Sequence, residues 1–130
     1  MDTPGTVLRP GPEMHSGNTP VRVAIAGATG YAGQELLRWM AGHPAARLTA
    51  AMSSSPDGPP RRLPALEKLW DGAVEPFSAH RLAEEADVVF LALPEETAAT
   101  IAPELLDRGV RVIDLSGAFR LHDEAARRKW

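Results

Sequence analysis

Three glycines, Gly27, Gly30 and Gly33, follow the apolar run Val21–Ala26 in the stretch VRVAIAGATGYAG. A strand that ends in Gly-x-x-Gly-x-x-Gly and opens a helix leaves main-chain amides bare at the positive end of the helix dipole. Such an arrangement suits a phosphate or diphosphate. Gly27 would permit a tight turn, Gly30 the close approach of a ligand, and Gly33 close packing of helix on strand. The first two glycines stand one residue further apart than in the common dinucleotide fingerprint. A turn that only packs could use the same glycines, and the flanking strand and helix favour the ligand.

The form of dinucleotide can be argued from the second strand. A site for NAD places Asp or Glu near the end of that strand, where it binds the ribose 2′-hydroxyl. No carboxylate occurs between Glu35 and Asp57. The segment instead runs into Ser53, Ser54 and Ser55, with Arg61 and Arg62 close behind. Hydroxyls and guanidinium groups bind a 2′-phosphate, and one charge-assisted hydrogen bond is worth roughly 1.5–3 kcal/mol. NADP is the expected cofactor. The alternative is an ordinary polar loop with solvated arginines.

Groups that could break or make a covalent bond are scarce. The chain has no cysteine, which excludes disulfides, thiolate metal sites and a thiol nucleophile. His15, His43, His80 and His122 show no metal-ligand spacing. His43 resembles a helix-stop residue, and His80 and His122 read as surface or capping residues. Glu84-Glu85 and Glu95-Glu96 are sequence neighbours, so they point apart on a helix and form no acid/base dyad. No catalytic residue and no metal ligand is assigned.

The elements that must hold the glycine turn are legible as alternating patterns. Residues 1–20, rich in Pro, Gly, Ser and Thr, read as a flexible tail, with Met14 an alternative start. Val21–Ala26 reads as a strand covered on both faces. Residues 31–41 place Ala32, Leu36, Leu37 and Met40 on one helical face before Gly42-His43-Pro44 stops the helix. Arg47–Met52 reads as a second strand, the proline-rich segment from Ser53 as a loop, residues 65–70 as a short helix and Val74–Phe77 as a weak third strand. ADVVFLALP is a second strong strand. Residues 97–108 read as a helix with Ala98, Ile101, Ala102 and Leu105 inward, and Pro103 should kink it or mark a second start. Val110–Ser116 is the last clear strand, and the segment after Asp123 begins like a capped helix. Alternation of this kind predicts an α/β fold, a doubly wound parallel sheet of the Rossmann type over 21–130.

The totals agree with one globular domain. The 130 residues are 44% hydrophobic and 24% charged, with a net charge of −3. That balance gives no reason to expect nucleic acid or an anionic membrane as partner. No apolar run reaches the length of a membrane span. Absence of cysteine is compatible with a reducing compartment, and a cytoplasmic location is the expectation.

The two ends of the domain together point to a family. VAIAGATGYAGQELLRWMAGHP and APELLDRGVRVIDLSGAFRLHD resemble the nucleotide-binding domain of N-acetyl-gamma-glutamyl-phosphate reductases. The glycine turn alone is shared with aspartate-semialdehyde dehydrogenases; its combination with DLSGAFRL is more specific. The resemblance covers residues 21–130. It implies a step of arginine biosynthesis, the NADPH-dependent reduction of an acyl phosphate to N-acetyl-glutamate 5-semialdehyde with release of phosphate. In that family a Cys thiolate displaces phosphate to give a thioester, hydride transfer releases the aldehyde, and a His assists.

By resemblance, Gly27, Ala28, Thr29, Gly30, Tyr31 and Ala32 should cradle the pyrophosphate, and Ser53 to Ser55 should lie near the adenosine end, where the charge argument above adds Arg61. Leu93 and Pro94 should border the nicotinamide, with Ser116 and Gly117 on the same side. Ser116 could equally serve only to end its strand. Arg120 is a candidate for an anionic substrate group or for a salt bridge. Where the family commonly has His-Gly after ALP, this chain has Glu95-Glu96-Thr97, which puts the nicotinamide contacts in question.

The family's nucleophile and substrate domain should lie beyond Trp130. The chain therefore reads as the N-terminal portion of a longer reductase, able alone to bind NADP only weakly or to fold marginally. A homo-oligomer would form through the further domain. Aspartate-semialdehyde dehydrogenase and carrier-linked aminoadipyl-phosphate reductase are the alternatives among enzymes. A non-catalytic NADP-binding sensor, or a purely structural Rossmann-like module, is the alternative outside them.

Overall fold

A computed structural model describes residues 19–120. Strand β1 (Val21–Ala26) leads through the glycine turn into helix α1 (Tyr31–Ala41), and β2 (Ala46–Met52) follows. A long loop with one 3-10 turn (Pro64–Leu66) precedes α2 (Ala79–Glu85), β3 (Val88–Leu91), α3 (Glu95–Asp107) and β4 (Arg111–Asp114). The four strands form one parallel sheet in the order β2-β1-β3-β4. The chain thus works outward from β1 in both directions, the doubly wound arrangement expected from the alternation.

Burial follows the two faces of the strands. Ala24, Ala26, Met52, Val89 and Leu91 point to one side and pack with Leu82 of α2 and Ala98, Ile101, Ala102 and Leu105 of α3. Ile25 and Ala51 point to the other side and pack with Leu37 of α1, Leu66 and Val74. Each fully buried large side chain in these layers contributes about 1.5–3 kcal/mol. Small residues on β1 let helices approach both faces closely. β2 carries one extra residue, because Val23 pairs with Leu48 and Ala24 with Ala50. The bulged Thr49 gives its hydroxyl hydrogen to the Val23 carbonyl.

Several expectations need correction. Val74–Phe77 forms no strand: Glu75 makes a single parallel bridge to Met52, and Val74 an antiparallel one to Arg61. Pro76 has no amide to continue the ladder. The expected helix at 65–70 is a 3-10 turn over Pro64–Leu66. Ala32 is exposed, and α1 instead buries Gly33 and Leu37, with Leu36 and Met40 partly covered. Helix α3 begins at Glu95, two residues earlier than expected, and runs as one helix with Pro103 exposed within it. The stretch 79–85 carried no expectation, yet it is a helix whose Ser78 hydroxyl accepts from the Arg81 amide. The tail and the helix start after Asp123 lie outside the described residues.

Candidate functional site

All four strands are parallel, so their carboxyl ends gather on one side of the sheet. The turn after β1 is shaped by what surrounds it. Gly27 has φ +87°, and a Cβ there would stand 2.1 Å from the Ala92 carbonyl oxygen at the end of β3. A Cβ on Gly33 would stand 2.1 Å from the Gly27 oxygen and 2.7 Å from the Ala28 Cα. Both glycines are thus fixed by the protein's own packing. Gly30 is different. Its φ is −79°, it is exposed, and a Cβ there would meet only the Gly27 oxygen at 3.8 Å. Nothing within the domain demands glycine at that position, whereas a ligand lying on the main chain would.

The amides divide in the same way. Gly27 and Ala28 both donate to the Met52 carbonyl, at 2.8 and 2.9 Å, which ties the turn to the end of β2. Gly30 donates to Gly27 at 3.3 Å. The amides of Thr29, Tyr31 and Ala32 have no acceptor among the described residues, and no side chain caps α1. A first helical turn with unclaimed donors and no acidic residue is open to an anion. The carbonyl of Thr29 is held by the Gln34 side-chain amide at 2.9 Å, which stiffens the turn.

The other residues singled out in the sequence lie around this turn. Ser53, Ser54 and Ser55 follow β2 directly. The Ser53 hydroxyl donates to the Ser55 carbonyl at 3.0 Å, and the Ser55 hydroxyl accepts from the Asp57 amide at 3.1 Å. Ser55 thus keeps its hydroxyl hydrogen for an anionic ligand, whereas Ser53 has committed its own to the Ser55 carbonyl. This brings Asp57 into the serine loop, a neighbour that its position beyond the strand end had concealed. Arg61 exchanges two main-chain hydrogen bonds with Val74, so the Val74-Glu75 pairing anchors it beside the end of β2. Its guanidinium is exposed and has no carboxylate partner among the described residues.

Leu93, after β3, is buried, with one methyl 3.2 Å from the would-be Cβ of Gly27, while Pro94 is exposed at the N-cap of α3. After β4, the Ser116 amide and hydroxyl both donate to the Asp114 carboxylate, at 2.9 and 3.0 Å. The Ser116 hydroxyl also accepts from the Ala118 amide at 3.0 Å. Ser116 therefore does end its strand, by closing a hydrogen-bonded turn. Gly117 is buried beneath the Glu95 side chain: a Cβ on Gly117 would fall 2.6 Å from Glu95 Oε2 and 3.6 Å from Arg120 Cδ. Sequence neighbours gave no sign of that contact between α3 and the turn after β4.

The histidines in view have ordinary work. His43 Nδ1 accepts from the Ala45 amide at the end of α1. His80 is exposed, 3.1 Å from Glu84 and 3.3 Å from Arg108. His15 and His122 lie outside the described residues.

A parallel doubly wound sheet with a glycine turn at its central strand end defines an NAD(P)-binding α/β domain. The chain belongs to the family of the semialdehyde dehydrogenase NAD-binding domain, which it matches over residues 22–127. Among curated relatives it is 42% identical over 112 residues to N-acetyl-gamma-glutamyl-phosphate reductase of Brevibacillus brevis, covering 85% of this chain and 32% of the relative. It is 49% identical over 114 residues to the enzyme of that name from Janthinobacterium sp. (strain Marseille), with the same coverage. A [LysW]-L-2-aminoadipate/[LysW]-L-glutamate phosphate reductase of Sulfurisphaera tokodaii is 39% identical over 112 residues, again 85% and 32% of the two chains. The chain spans about a third of the length of these relatives. A solved aspartate semialdehyde dehydrogenase with NADP, from Candida albicans, shares the fold with a TM-score of 0.65 at 24% identity, over 82% of this chain and 32% of that one. No helix among the described residues is long and apolar enough to cross a membrane.

Proposed function

We propose that this chain is the cofactor-binding part of an N-acetyl-gamma-glutamyl-phosphate reductase that uses NADPH. The observation that carries the cofactor reading is the pairing at the glycine turn of unclaimed Thr29, Tyr31 and Ala32 amides with open space over Gly30. Those amides, with the dipole of α1, would hold the diphosphate. Ser54, Ser55 and Arg61 would hold the adenosine 2′-phosphate, with Ser53 bracing the loop through the Ser55 carbonyl, since Arg61 brings a cation without a carboxylate partner among the described residues to the strand end. Asp57 is the opposing charge in that loop, so Arg61 decides the preference for NADP over NAD. Leu93, Pro94, Ser116 and Gly117 would border the nicotinamide end. When bound, the dinucleotide supplies the hydride.

Arg120 follows the Ser116 turn and has no carboxylate within ion-pairing distance among the described residues. It would hold an anionic group of the acyl phosphate. The thiol nucleophile of the family reaction has no counterpart in this chain, which contains no cysteine. The likeness to the S. tokodaii reductase supports a second substrate reading, a carrier-linked aminoadipyl or glutamyl phosphate. Both substrates share the acyl phosphate and therefore the same demands on this domain. A cytoplasmic location goes with either pathway.

Calorimetry tests the cofactor reading: NADPH binds at least tenfold more tightly than NADH, and equal affinities contradict it. A chimera tests the reaction. Residues 21–130, put in place of the matching segment of the B. brevis reductase, support NADPH-dependent reduction of N-acetyl-gamma-glutamyl phosphate. A folded chimera without that activity contradicts the assignment.

A further inference from the structure

We infer that Glu95 is a specificity-determining residue, an internal anion that competes with phosphate for Arg120. The inference rests on the proposed role of Arg120 in holding the substrate's anionic group. Its basis is the meeting of two side chains over one bare position. The Glu95 carboxylate and the Arg120 methylene nearest the guanidinium both approach the point where Gly117 lacks a Cβ, at 2.6 and 3.6 Å. The two do not form an ion pair within 4 Å, so among the described residues Arg120 has no carboxylate partner while Glu95 stands beside it.

The surrounding charges sharpen the effect. A cleft of about 470 Å³ at the end of β4 is lined by Asp114, Leu115, Ser116, Phe119 and Arg120. The Asp114 carboxylate is already answered by the Ser116 amide and hydroxyl. Glu95 has no such partner among the described residues and lies at the exposed start of α3. An anion approaching Arg120 past Gly117 therefore meets the Glu95 carboxylate, the acidic group there that no hydrogen bond among the described residues engages. Free phosphate, held by little besides its charge, has nothing to offset that repulsion. An acyl phosphate is also held through the rest of its molecule. When a nucleophile displaces the phosphoryl oxygen, the acyl–oxygen bond breaks and phosphate leaves with that electron pair, and Glu95 then favours its departure.

The test is a titration of the 130-residue chain with inorganic phosphate, read from the amide signals of Gly117 and Arg120. Glu95→Gln should bind phosphate about three- to tenfold more tightly than the wild type, the size of a unit charge removed at such range. Glu95→Asp, which keeps the charge, should stay within about twofold of wild type. Arg120→Gln should abolish the response in both backgrounds. A mere structural disturbance would weaken binding, so a gain of affinity separates the charge from the packing. Equal or weaker binding by Glu95→Gln overturns the inference, as does a response that survives Arg120→Gln or is absent from wild type and Glu95→Gln alike. A parallel titration with 2′,5′-ADP reports the glycine turn and serine loop alone. Failure there sinks the NADP reading, whereas success there with unchanged phosphate affinity sinks only the role of Glu95.

Discussion

The junction of β1, β3 and α2 and the turn after β1 treat their polar groups in opposite ways. At the amino ends of β1 and β3, an ion pair closes the junction with α2. Arg22 donates its amide and guanidinium to Asp87, at 2.9 and 3.0 Å, and a further hydrogen bond to the Glu84 carbonyl. That partnership raises the Arg22 pKa and pulls the Asp87 carboxyl below its ordinary range, chiefly through the side-chain hydrogen bond. Nearby, Arg108 reaches His80 and Glu104. At the carboxyl ends, by contrast, three amides of the glycine turn, the Arg61 guanidinium and the Arg120 guanidinium have no protein partner among the described residues. Groups satisfied internally stabilise the fold; groups left with open bonding capacity are free for a ligand. The unclaimed amides mark the glycine turn as open to a ligand; unpaired cations alone do not, since Arg47 and Arg111 at the amino ends also lack a carboxylate partner among the described residues.

The same contrast exists within one motif, and substitution can break it. Gly33→Ala forces a Cβ against main-chain atoms of Gly27 and Ala28, so it should cost about 2–4 kcal/mol of stability, read from urea unfolding. Gly30→Ala meets only the Gly27 oxygen, at an ordinary 3.8 Å, and should cost under about 1 kcal/mol, yet lower NADPH affinity at least about tenfold in calorimetry. If both variants lose stability alike, the division of the turn into packing and binding glycines is wrong.

Arg61→Ala should reduce the preference for NADPH over NADH about tenfold by removing one charge-assisted contact, with NADH affinity nearly unchanged. At the opposite end, Asp87→Ala should leave cofactor affinity untouched and cost only about 1 kcal/mol, because both partners are well exposed. The Asp87 contribution is present above the ordinary carboxylate pKa and is lost as pH falls through the depressed folded value. The stability gap between wild type and Asp87→Ala should therefore be full at neutral pH and close in strong acid.

How far the sequence could be read depended on whether the signal was local. Val21–Ala26 and the apolar run of β3 declare covered strands, β4 pairs at the sheet edge with Ile113 exposed, and Ala98, Ile101, Ala102 and Leu105 mark the inner face of α3 with a period the structure reproduces. Helix α2 was not legible because it is seven residues long, too short for a period, and is held by pairs such as Arg81 with Glu75 and Glu85. Val74–Phe77 has strand-like composition, but only tertiary position decides that Val74 and Glu75 make no more than isolated bridges, to different partners, before Pro76. The glycine turn was read as one unit. Its separation into Met52-bound and unclaimed amides needs the partner strand, which no local pattern supplies. Glu95 over Gly117 is likewise a contact between segments 22 residues apart in the sequence.

The central claim concerns the Thr29, Tyr31 and Ala32 amides, and its most direct test is an amide chemical-shift titration with NADPH. The account predicts that those three signals move together and saturate, while those of Arg22 and Asp87 at the opposite edge stay in place. A folded chain whose Thr29, Tyr31 and Ala32 signals remain still at saturating NADPH would contradict it.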